Sequence, residues 1–378
     1  MIKNIFAWIK KEIVFCVTFI FALISVFFVP FSKEYFSYID FNTLFLLFAL
    51  MTLTGGWRRT GLFDSLGNFL CSKFHSLRSL SFVLVMLCFF SSMFITNDVA
   101  LLTFVPFALI VLKDISNLKK IFVIVLQTLA ANLGSMLTPV GNPQNIFLYS
   151  KMSLSFFAFI KILLPYTVAS FLMLSLCIIF LGNEKITFSL TYKKSILDKK
   201  NLFKNSIYLI LFFYCLLTVA GLLPKWSAAL VVFLFVLFLD RKVFFEVDFM
   251  LLLTFVAFFI FTGNISHLDA VKSLLEKITL GHEFASGILF SQLISNVPAS
   301  LLLYPFARDI KNLLLGVNIG GLGTLVASLA SLISFKSFTQ KNEGQGLKYF
   351  LVFTVSNIVF LFVLIAVHFI FERIFLIY

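Results

Sequence analysis

The chain has 378 residues, of which 61% are hydrophobic and 12% are charged, and its formal net charge is +13. Soluble domains contain about 45–50% apolar and about 25% charged residues, so this composition predicts an integral membrane protein without a soluble module. Lys and Arg residues stand in short connections between apolar runs, as the positive-inside rule describes, which argues against nucleic-acid binding.

Apolar runs follow one another along the whole chain: Ile13–Phe31, Thr43–Thr54, Phe82–Leu112, Ile121–Met136, Leu163–Leu181, Ile207–Leu223, Ala228–Leu239, Met250–Phe261, Ser286–Ala307, Leu313–Ser334 and Phe350–Phe371. A spanning helix needs about 20 residues. Phe82–Leu112 is too long for one span and too short for two with a loop. It therefore predicts a re-entrant hairpin that turns near Thr96–Asp98. Treating Ser286–Ala307 in the same way gives nine full spans and two hairpins.

The basic connections assign faces to these spans. They predict that the N-terminus, with Lys3, Lys10 and Lys11, and the linker Lys185–Lys204 are cytoplasmic, and that the C-terminus is outside. Ile13–Phe31 is too long for the core of a signal peptide. We therefore expect a multi-pass protein of the inner (cytoplasmic) membrane.

Polar motifs recur at fixed distances along the chain. Asn97 and Asn296 are each followed at the same spacing by Pro-Phe-Ala, 199 residues apart. Asp40-Phe41 and Asp248-Phe249 each precede an apolar run that ends in Thr-Gly, 208 residues apart. Five predicted spans separate the two starts, so the copies are predicted to be inverted in the membrane. Such repeats are typical of secondary transporters whose site lies between the copies.

The repeats define the predicted organisation of an all-α polytopic membrane protein with two re-entrant hairpins and two broken transmembrane helices. The predicted parts are a scaffold helix at 1–39, a first repeat at 40–183 with hairpin 80–113 and broken helix 120–150, a linker with two scaffold spans at 184–247, and a second repeat at 248–378 with hairpin 284–308 and broken helix 312–336.

Asp98 is the only charged residue between Arg78 and Lys113, at the predicted tip of the first hairpin. A carboxylate at membrane depth costs about 2.5–3.5 kcal/mol on insertion scales, so it normally faces a cavity, a partner or a proton path. We expect cation coordination or proton carriage. The structural alternative is that Asn97 or Asp98 caps the second helix of the hairpin. The second tip has Val297 at the matching position, so only one half of the site carries negative charge.

A Gly-rich interruption follows each hairpin, from Asn132 to Asn145 and from Gly316 to Ser331. Pro139 and Pro143 remove backbone donors, and the glycines permit unwinding. Unwound carbonyls coordinate cations in transporters, and helix N-termini favour anions. The alternative is that Gly and Pro serve only helix packing and kinks. No catalytic triad, metal-binding cluster or phosphate loop occurs in the sequence, so we expect neither an enzyme nor a cofactor.

The hairpin tips and the Thr138–Asn142 interruption resemble those of the ion transporter superfamily, over residues 40–182 and 248–370. This superfamily includes arsenite permeases, NhaD-type sodium/proton antiporters and divalent anion:sodium symporters. The symporters carry Ser-Asn-Thr at each tip, whereas both third positions differ here, so the chain is more similar to the arsenite permease and YbiR-like anion permease branch. The resemblance implies a homodimer with a rigid scaffold and a transport domain that moves as an elevator.

The motifs and the resemblance together give the predicted site. The predicted substrate-binding residues are Asn97, Asp98, Asn142, Asn296, Val297 and Ser328. The predicted coupling-ion residues are Thr96, Asn97, Asp98, Gly134, Thr138, Ser295, Asn296, Thr324 and Ala327, with a Na⁺ site at Thr96, Asn97, Ser295 and Asn296. Sodium or a proton is the predicted coupling ion.

These observations predict a secondary active transporter for a small inorganic or organic anion or an oxyanion-like solute. Membrane lipid and a second copy of the chain are the other expected partners. The alternative is a sodium/proton antiporter in which Asp98 exchanges the two ions. A passive channel fits less well, because a channel needs a continuous polar lining.

Overall fold

The computed structural model describes residues 12–31, 33–71, 73–74, 76–185 and 198–375. This part of the chain is built of helices, and no β-strand occurs in it. The cytoplasmic calls for Lys3, Lys10 and Lys11, and for most of the linker Lys185–Lys204, fall outside the described residues.

The helices of the first half are α1 (Ile13–Phe28), α2 (Tyr35–Tyr38), α3 (Phe41–Arg59), α4 (Leu62–Cys71), α5 (Leu77–Ser91), α6 (Asn97–Val111), α7 (Asn117–Ser135), α8 (Pro143–Lys151) and α9 (Phe156–Ile179). Those of the second half are α10 (Lys199–Val219), α11 (Lys225–Asp240), α12 (Phe249–Ile265), α13 (Asp269–Thr279), α14 (Glu283–Ile294), α15 (Asn296–Leu303), α16 (Ile310–Ile319), α17 (Leu329–Lys341) and α18 (Gly346–Phe375). Short 3₁₀ segments lie at Arg241–Glu246 and Tyr304–Phe306.

By length and composition, four helices in the described residues are able to cross a membrane, namely α7, α9, α10 and the Gly346–Arg373 part of α18. A fifth is added if the pair Lys225–Glu246 and Phe249–Ile265, bent by 76°, counts as one span. Helices α5, α6, α14 and α16 are apolar but shorter. The all-helical membrane class is therefore confirmed, whereas nine spans and the inverted orientation stay predictions.

The order of helices in the first half recurs in the second. Asp40 and Asp248 cap α3 and α12 with the same backbone angles, φ −81° and ψ 84°. Each carboxylate accepts a hydrogen bond from the backbone N–H three residues later, at 3.1 Å and 2.9 Å. An amphipathic helix, a hairpin, an interrupted helix and a long closing helix then follow in both halves.

The opening segments of the two halves are cross-packed, α1 against α12 and α11 against α3. Two glycines permit the close approach. A Cβ on Gly55 would lie 2.7 Å from the Cβ of Glu246, and one on Gly263 would lie 2.3 Å from the ring of Tyr38. Both the glycines and their partners are 208 residues apart in sequence. The correspondence thus includes segments that the sequence analysis assigned to the scaffold.

The hairpins and interrupted helices form the centre of the molecule. Nearly every side chain of α7 is buried, and α5 packs along it as α14 packs along α16. Gly134 lies against the carbonyl of Phe89, and Gly320 against the backbone of Ile288. The peripheral helices instead expose large apolar side chains, such as Phe157 on α9, which suits contact with lipid.

Candidate functional site

Each hairpin turn is docked on the interruption of the helix that follows it. The second helix of each hairpin begins at the predicted tip asparagine, Asn97 in α6 and Asn296 in α15. The backbone N–H of Asn97 donates to the carbonyl of Gly141 at 3.2 Å, and that of Asn296 to the carbonyl of Ala327 at 3.0 Å. The sequence therefore builds the same tip-to-interruption contact twice.

A threonine in each interruption fastens the same hairpin a second time. The hydroxyl of Thr138 donates to the carbonyl of Met93, and that of Thr324 donates to the carbonyl of Gln292 at 3.3 Å. Both acceptors stand four residues before their tip asparagine. Both hydroxyl protons are therefore used in bonds to backbone carbonyls, and only the oxygen lone pairs of these threonines remain to bind an ion.

Two asparagines connect the interruptions of the two halves. Asn142 donates from Nδ2 to Oδ1 of Asn318 at 3.1 Å. Ser328 donates from its hydroxyl to Oδ1 of Asn132, also at 3.1 Å. Asn142 and Ser328 cap α8 and α17, while Asn132 and Asn318 lie on the preceding helices α7 and α16. The first half thus donates to the second in one bond, and the second half donates to the first in the other.

The amide nitrogens of the same two asparagines repeat the pattern. Nδ2 of Asn318 donates to Oδ1 of Asn145 at 2.7 Å, and Nδ2 of Asn132 donates to the hydroxyl of Ser331 at 3.4 Å. All four side chains are buried. A buried polar group left without a partner costs about 1–3 kcal/mol. This network, called the asparagine crossing below (Asn132, Asn142, Asn145, Asn318, Ser328 and Ser331), therefore fixes how the two interruptions meet.

The two tips join this crossing differently. Nδ2 of Asn97 donates to Oδ1 of Asn132 at 2.9 Å. Within the described residues no acceptor is paired with Nδ2 of Asn296, which lies beside Gly321, where a Cβ would approach it to 2.8 Å. The first tip is therefore bound into the network, whereas the second keeps an amide N–H₂ group available.

Four helices begin at this network, namely α6, α8, α15 and α17. The N-terminus of a helix carries the equivalent of about half a positive charge. The polar groups of the crossing are amides, hydroxyls and carbonyls, with no Lys or Arg among them. Its electrostatics thus favour an anion through backbone dipoles, while the amide and carbonyl oxygens retain lone pairs for a cation.

Asp98 lies in the first turn of α6, half-buried, and faces two cavities that it shares with Asp248. One cavity, of about 80 Å³, reaches the ion pair between Arg58 and Glu246. The other, of about 300 Å³, reaches Lys336. No group in the described part of the chain donates to the Asp98 carboxylate or pairs with it. Its charge is therefore open to a mobile cation or proton.

The chain is similar to proteins that are described as transporters. Residues 4–312 match the family model described as CitMHS, citrate transporter. The inner membrane protein YbiR of Escherichia coli is 36% identical over 315 residues, covering 82% of this chain and 83% of that protein. An uncharacterized transporter of Methanocaldococcus jannaschii is 31% identical over 341 residues, covering 88% and 90%. The silicon efflux transporter LSI3 of rice is 32% identical over 143 residues, covering 38% and 29%.

The chain belongs to the citrate transporter family. The predicted membership of the ion transporter superfamily is confirmed, as is its anion permease branch. The family and these relatives are transporters, and the similarity to the inner membrane protein YbiR supports a multi-pass inner membrane protein. No cluster of three or more His, Cys, Asp or Glu suited to a metal ion occurs in the described ranges.

The structure places the transporter's predicted site residues in different surroundings. Asn97, Asn142, Asn296, Ser328 and Ala327 lie in or on the asparagine crossing. Thr96 and Asp98 line the 80 Å³ cavity, and Thr324 is exposed at the edge of the second interruption. Thr138, Gly134 and Val297 are buried; the carbonyl of Gly134 accepts from Leu137, and the N–H of Val297 donates to Asn296.

The predicted capping role of Asn97 or Asp98 is wrong. Thr96 is the N-cap of α6, and its side chain makes no capping hydrogen bond. Helix α6 starts at Asn97, one residue earlier than a capping role for Asn97 requires. Oδ1 of Asn97 accepts from the N–H of Asp98 at 3.0 Å instead.

Among the residues that the structure describes, Ser295 is the one residue other than glycine with a positive φ, at φ 75° and ψ 153°. This region of backbone space is almost confined to glycine and costs about 1–3 kcal/mol for other residues. The hydroxyl lies 3.5 Å from the carbonyl of Ala327 and from Oδ1 of Asn296. The second tip therefore stores strain that the first tip lacks.

Sequence reasoning missed Gln292, which clamps the second interruption. Its Nε2 donates to the carbonyls of Gly320 and Leu322 at 2.7 Å and 2.8 Å, and its Oε1 accepts from Thr324 N at 2.9 Å. The equivalent residue of the first hairpin is Met93, so the internal repeat gave no signal. The lone amide in the apolar helix α14 was the available sign.

Proposed function

We propose that this transporter is a secondary active transporter that moves a small anion or oxyanion-like solute, coupled to sodium or protons. The observation that carries the proposal is the meeting of four helix N-termini at the asparagine crossing, without a basic side chain. Backbone dipoles bind an anion while leaving its release easy, because no fixed cation holds it. The free amide of Asn296 supplies a directional donor for the solute.

Asp98 supplies the coupling in this proposal. An anion and an unneutralised carboxylate repel each other, so the solute is bound favourably only once Asp98 holds sodium or a proton. The oxygens of Thr96, Asn97, Ser295 and Asn296 are the proposed ion ligands, since hard cations take oxygen ligands. Loading of the ion thus precedes or accompanies loading of the solute.

The proposed motion is an elevator between two inverted repeats of a homodimer. The opening segments pack mainly on each other, α1 on α12 and α3 on α11, while α5 packs on α7 and α14 on α16. The asparagine crossing joins the two interruptions into one body, and a body that is internally bonded moves as a unit. This division supports a fixed scaffold and a moving transport domain.

The solute class follows from chemistry that the relatives' names suggest. The matching family is described as citrate transporter, and one relative is a silicon efflux transporter. Citrate is a carboxylate anion, whereas silicic acid is an oxyanion-forming weak acid. Both present oxygen atoms to helix N-termini, so the test compares citrate, silicate, arsenite and phosphate as candidate solutes.

The test is uptake into proteoliposomes driven by a sodium or pH gradient, with the Asn296→Ala variant as the matched control. We expect one solute to accumulate against its gradient, with saturation, in wild type and not in the variant. Accumulation of none of them, or flux that rises linearly with concentration and ignores the ion gradients, contradicts the proposal.

The second candidate function is a sodium/proton antiporter, and the paired carboxylates of Asp98 and Asp248 favour it. They line the same two cavities, and such a lining attracts cations and repels a multivalent anion. In that case sodium exchanges for protons at Asp98 with no solute present.

A further inference from the structure

Two acid–base pairs stand at similar places in the two halves, with the two lysines one residue out of register. Asp40 caps α3 and Asp248 caps α12, with the same backbone angles. Lys151 ends α8, nine residues after the N-cap of that helix, and Lys336 stands on α17, eight residues after its N-cap. Each half thus has a carboxylate at the start of its first helix and a lysine on the second helix of its broken helix.

The pair of the first half is closed. Nζ of Lys151 lies 2.7 Å from Oδ2 of Asp40, whose side chain is only 8% exposed. The hydroxyl of Ser150 donates to the same carboxylate at 3.3 Å, and the N–H of Thr43 donates at 3.1 Å. Burial raises the pKa of Asp40, but Lys151 and Thr43 outweigh it and hold that pKa below its usual value.

The closed pair joins three elements. Nζ of Lys151 also lies over the ring of Tyr304, 5.9 Å from its centroid, just beyond the second hairpin. Helix α3, helix α8 and the end of the second hairpin are therefore held together on this side of the crossing.

The pair of the second half is open. Asp248 and Lys336 are both exposed, and neither makes an ion pair with a residue that the structure describes. They stand on the wall of the same 300 Å³ cavity, which extends to Asp98. Water fits wherever roughly 10–15 Å³ is accessible, so water can reach both residues through this cavity, which is larger than the cavity of about 130 Å³ beside Lys151.

We propose that Asp248 and Lys336 form the counterpart of the Asp40–Lys151 ion pair in the other state of the transporter, so that the two pairs close alternately on the two sides of the site. The inference rests on the proposed alternating access of two inverted repeats. Exchange of conformation between such repeats opens one side as it closes the other. One ion pair is broken as its counterpart forms, which keeps the two states close in free energy, as turnover requires.

Thiol labelling of the purified protein reads the two states directly. Leu332→Cys reports the 300 Å³ cavity at the open pair, and Thr262→Cys reports the cavity of about 130 Å³ beside the closed pair, each in a background with the five native cysteines replaced by alanine. Lys151→Gln removes the closed pair. We expect it to slow labelling at position 332 and speed labelling at 262 by up to about fivefold, the effect that one ion pair of this kind confers.

The matched control is Lys341→Gln, an exposed lysine on the same helix as Lys336, which leaves both labelling rates unchanged. Equal labelling in wild type and Lys151→Gln at both positions overturns the proposal. Faster labelling at 262 alone, without the loss at 332, indicates local loosening and also overturns it.

Cross-linking tests the pair that is open here. Asp248→Cys combined with Lys336→Cys should form a disulfide on oxidation, and it should protect Leu332→Cys from labelling until reduced. The charge exchange Asp248→Lys with Lys336→Asp should restore uptake that each single reversal removes. If no disulfide forms in a preparation that transports solute, the alternating pairs are wrong and the proposed function stands. If wild type moves no solute yet the disulfide forms, the proposed function fails instead.

Discussion

Asn142 and Asn318 are joined by a hydrogen bond of 3.1 Å from Nδ2 to Oδ1, and their sequence equivalents Ser328 and Asn132 are joined at 3.1 Å in the reverse direction. Each partner is 186 residues from its equivalent. The helix breaks of the two halves therefore hold each other, and this contact is the structural centre of the transporter.

Replacing Asn318 with alanine should destabilise the fold. The change leaves the buried oxygen of Asn145 and the amide of Asn142 without this partner, at a cost of about 1–3 kcal/mol. We expect a clear fall in melting temperature in detergent, measured by scanning fluorimetry. Gln340→Ala, at an exposed position on α17, serves as the control. Equal melting temperatures of the two variants would show that the crossing does not hold the halves together.

The tip asparagines should separate function from stability. Asn97→Ala and Asn296→Ala are both expected to abolish transport, because each removes an amide at the predicted site. Asn97→Ala should also lower the melting temperature more, because only Asn97 donates to the crossing, at Asn132. Uptake and melting of both variants check this. Wild-type uptake rates in both variants would show that the site assignment is wrong.

Ser295 offers a test of stored strain. Its positive φ favours glycine, so Ser295→Gly should be more stable than Ser295→Ala by about 1–3 kcal/mol. Ser300, inside α15, is the control at which the order reverses, since glycine in a helix is about 0.5–1 kcal/mol less stable than alanine. Melting temperatures of the four variants decide the matter. An alanine variant as stable as glycine at 295 contradicts the strained tip.

If residues 82–112 form a re-entrant hairpin, both of its ends lie on the cytoplasmic side. Lys113 follows α6 and Lys200 lies at the start of α10, and both are exposed. Lys113→Cys and Lys200→Cys should react with an impermeant thiol reagent only from the cytoplasm. Reaction of the cysteine at 113 from outside would mean that the first hairpin, α5 and α6 together, is one full span.

Much of the architecture follows from the sequence because its physical causes are local. A 31-residue apolar run with Asn97 and Asp98 at its middle predicts a hairpin, and the structure turns there, between α5 and α6. The acidic N-caps Asp40 and Asp248 likewise mark the first helix of each half.

The contacts between the halves could not be predicted from the sequence, because they depend on how the two halves pack against each other. Asn132 and Asn318 were visible as polar residues in their interruptions, but their partners lie in the other half. The Gln292 clamp has no counterpart at Met93. The ion pair is closed at Lys151 and open at Lys336. This difference depends on the conformation of the whole molecule, so neither segment of the sequence predicts it alone.

The central claim is that Asp98 couples an ion to a solute bound at the asparagine crossing. The most direct test records internal pH in proteoliposomes after a sodium jump, with and without the candidate anions, for wild type and Asp98→Asn. We predict a pH or current response only when the transported anion is present, and its loss in Asp98→Asn. A sodium-driven pH change without any anion, abolished in the variant, would contradict the anion account and establish an antiporter.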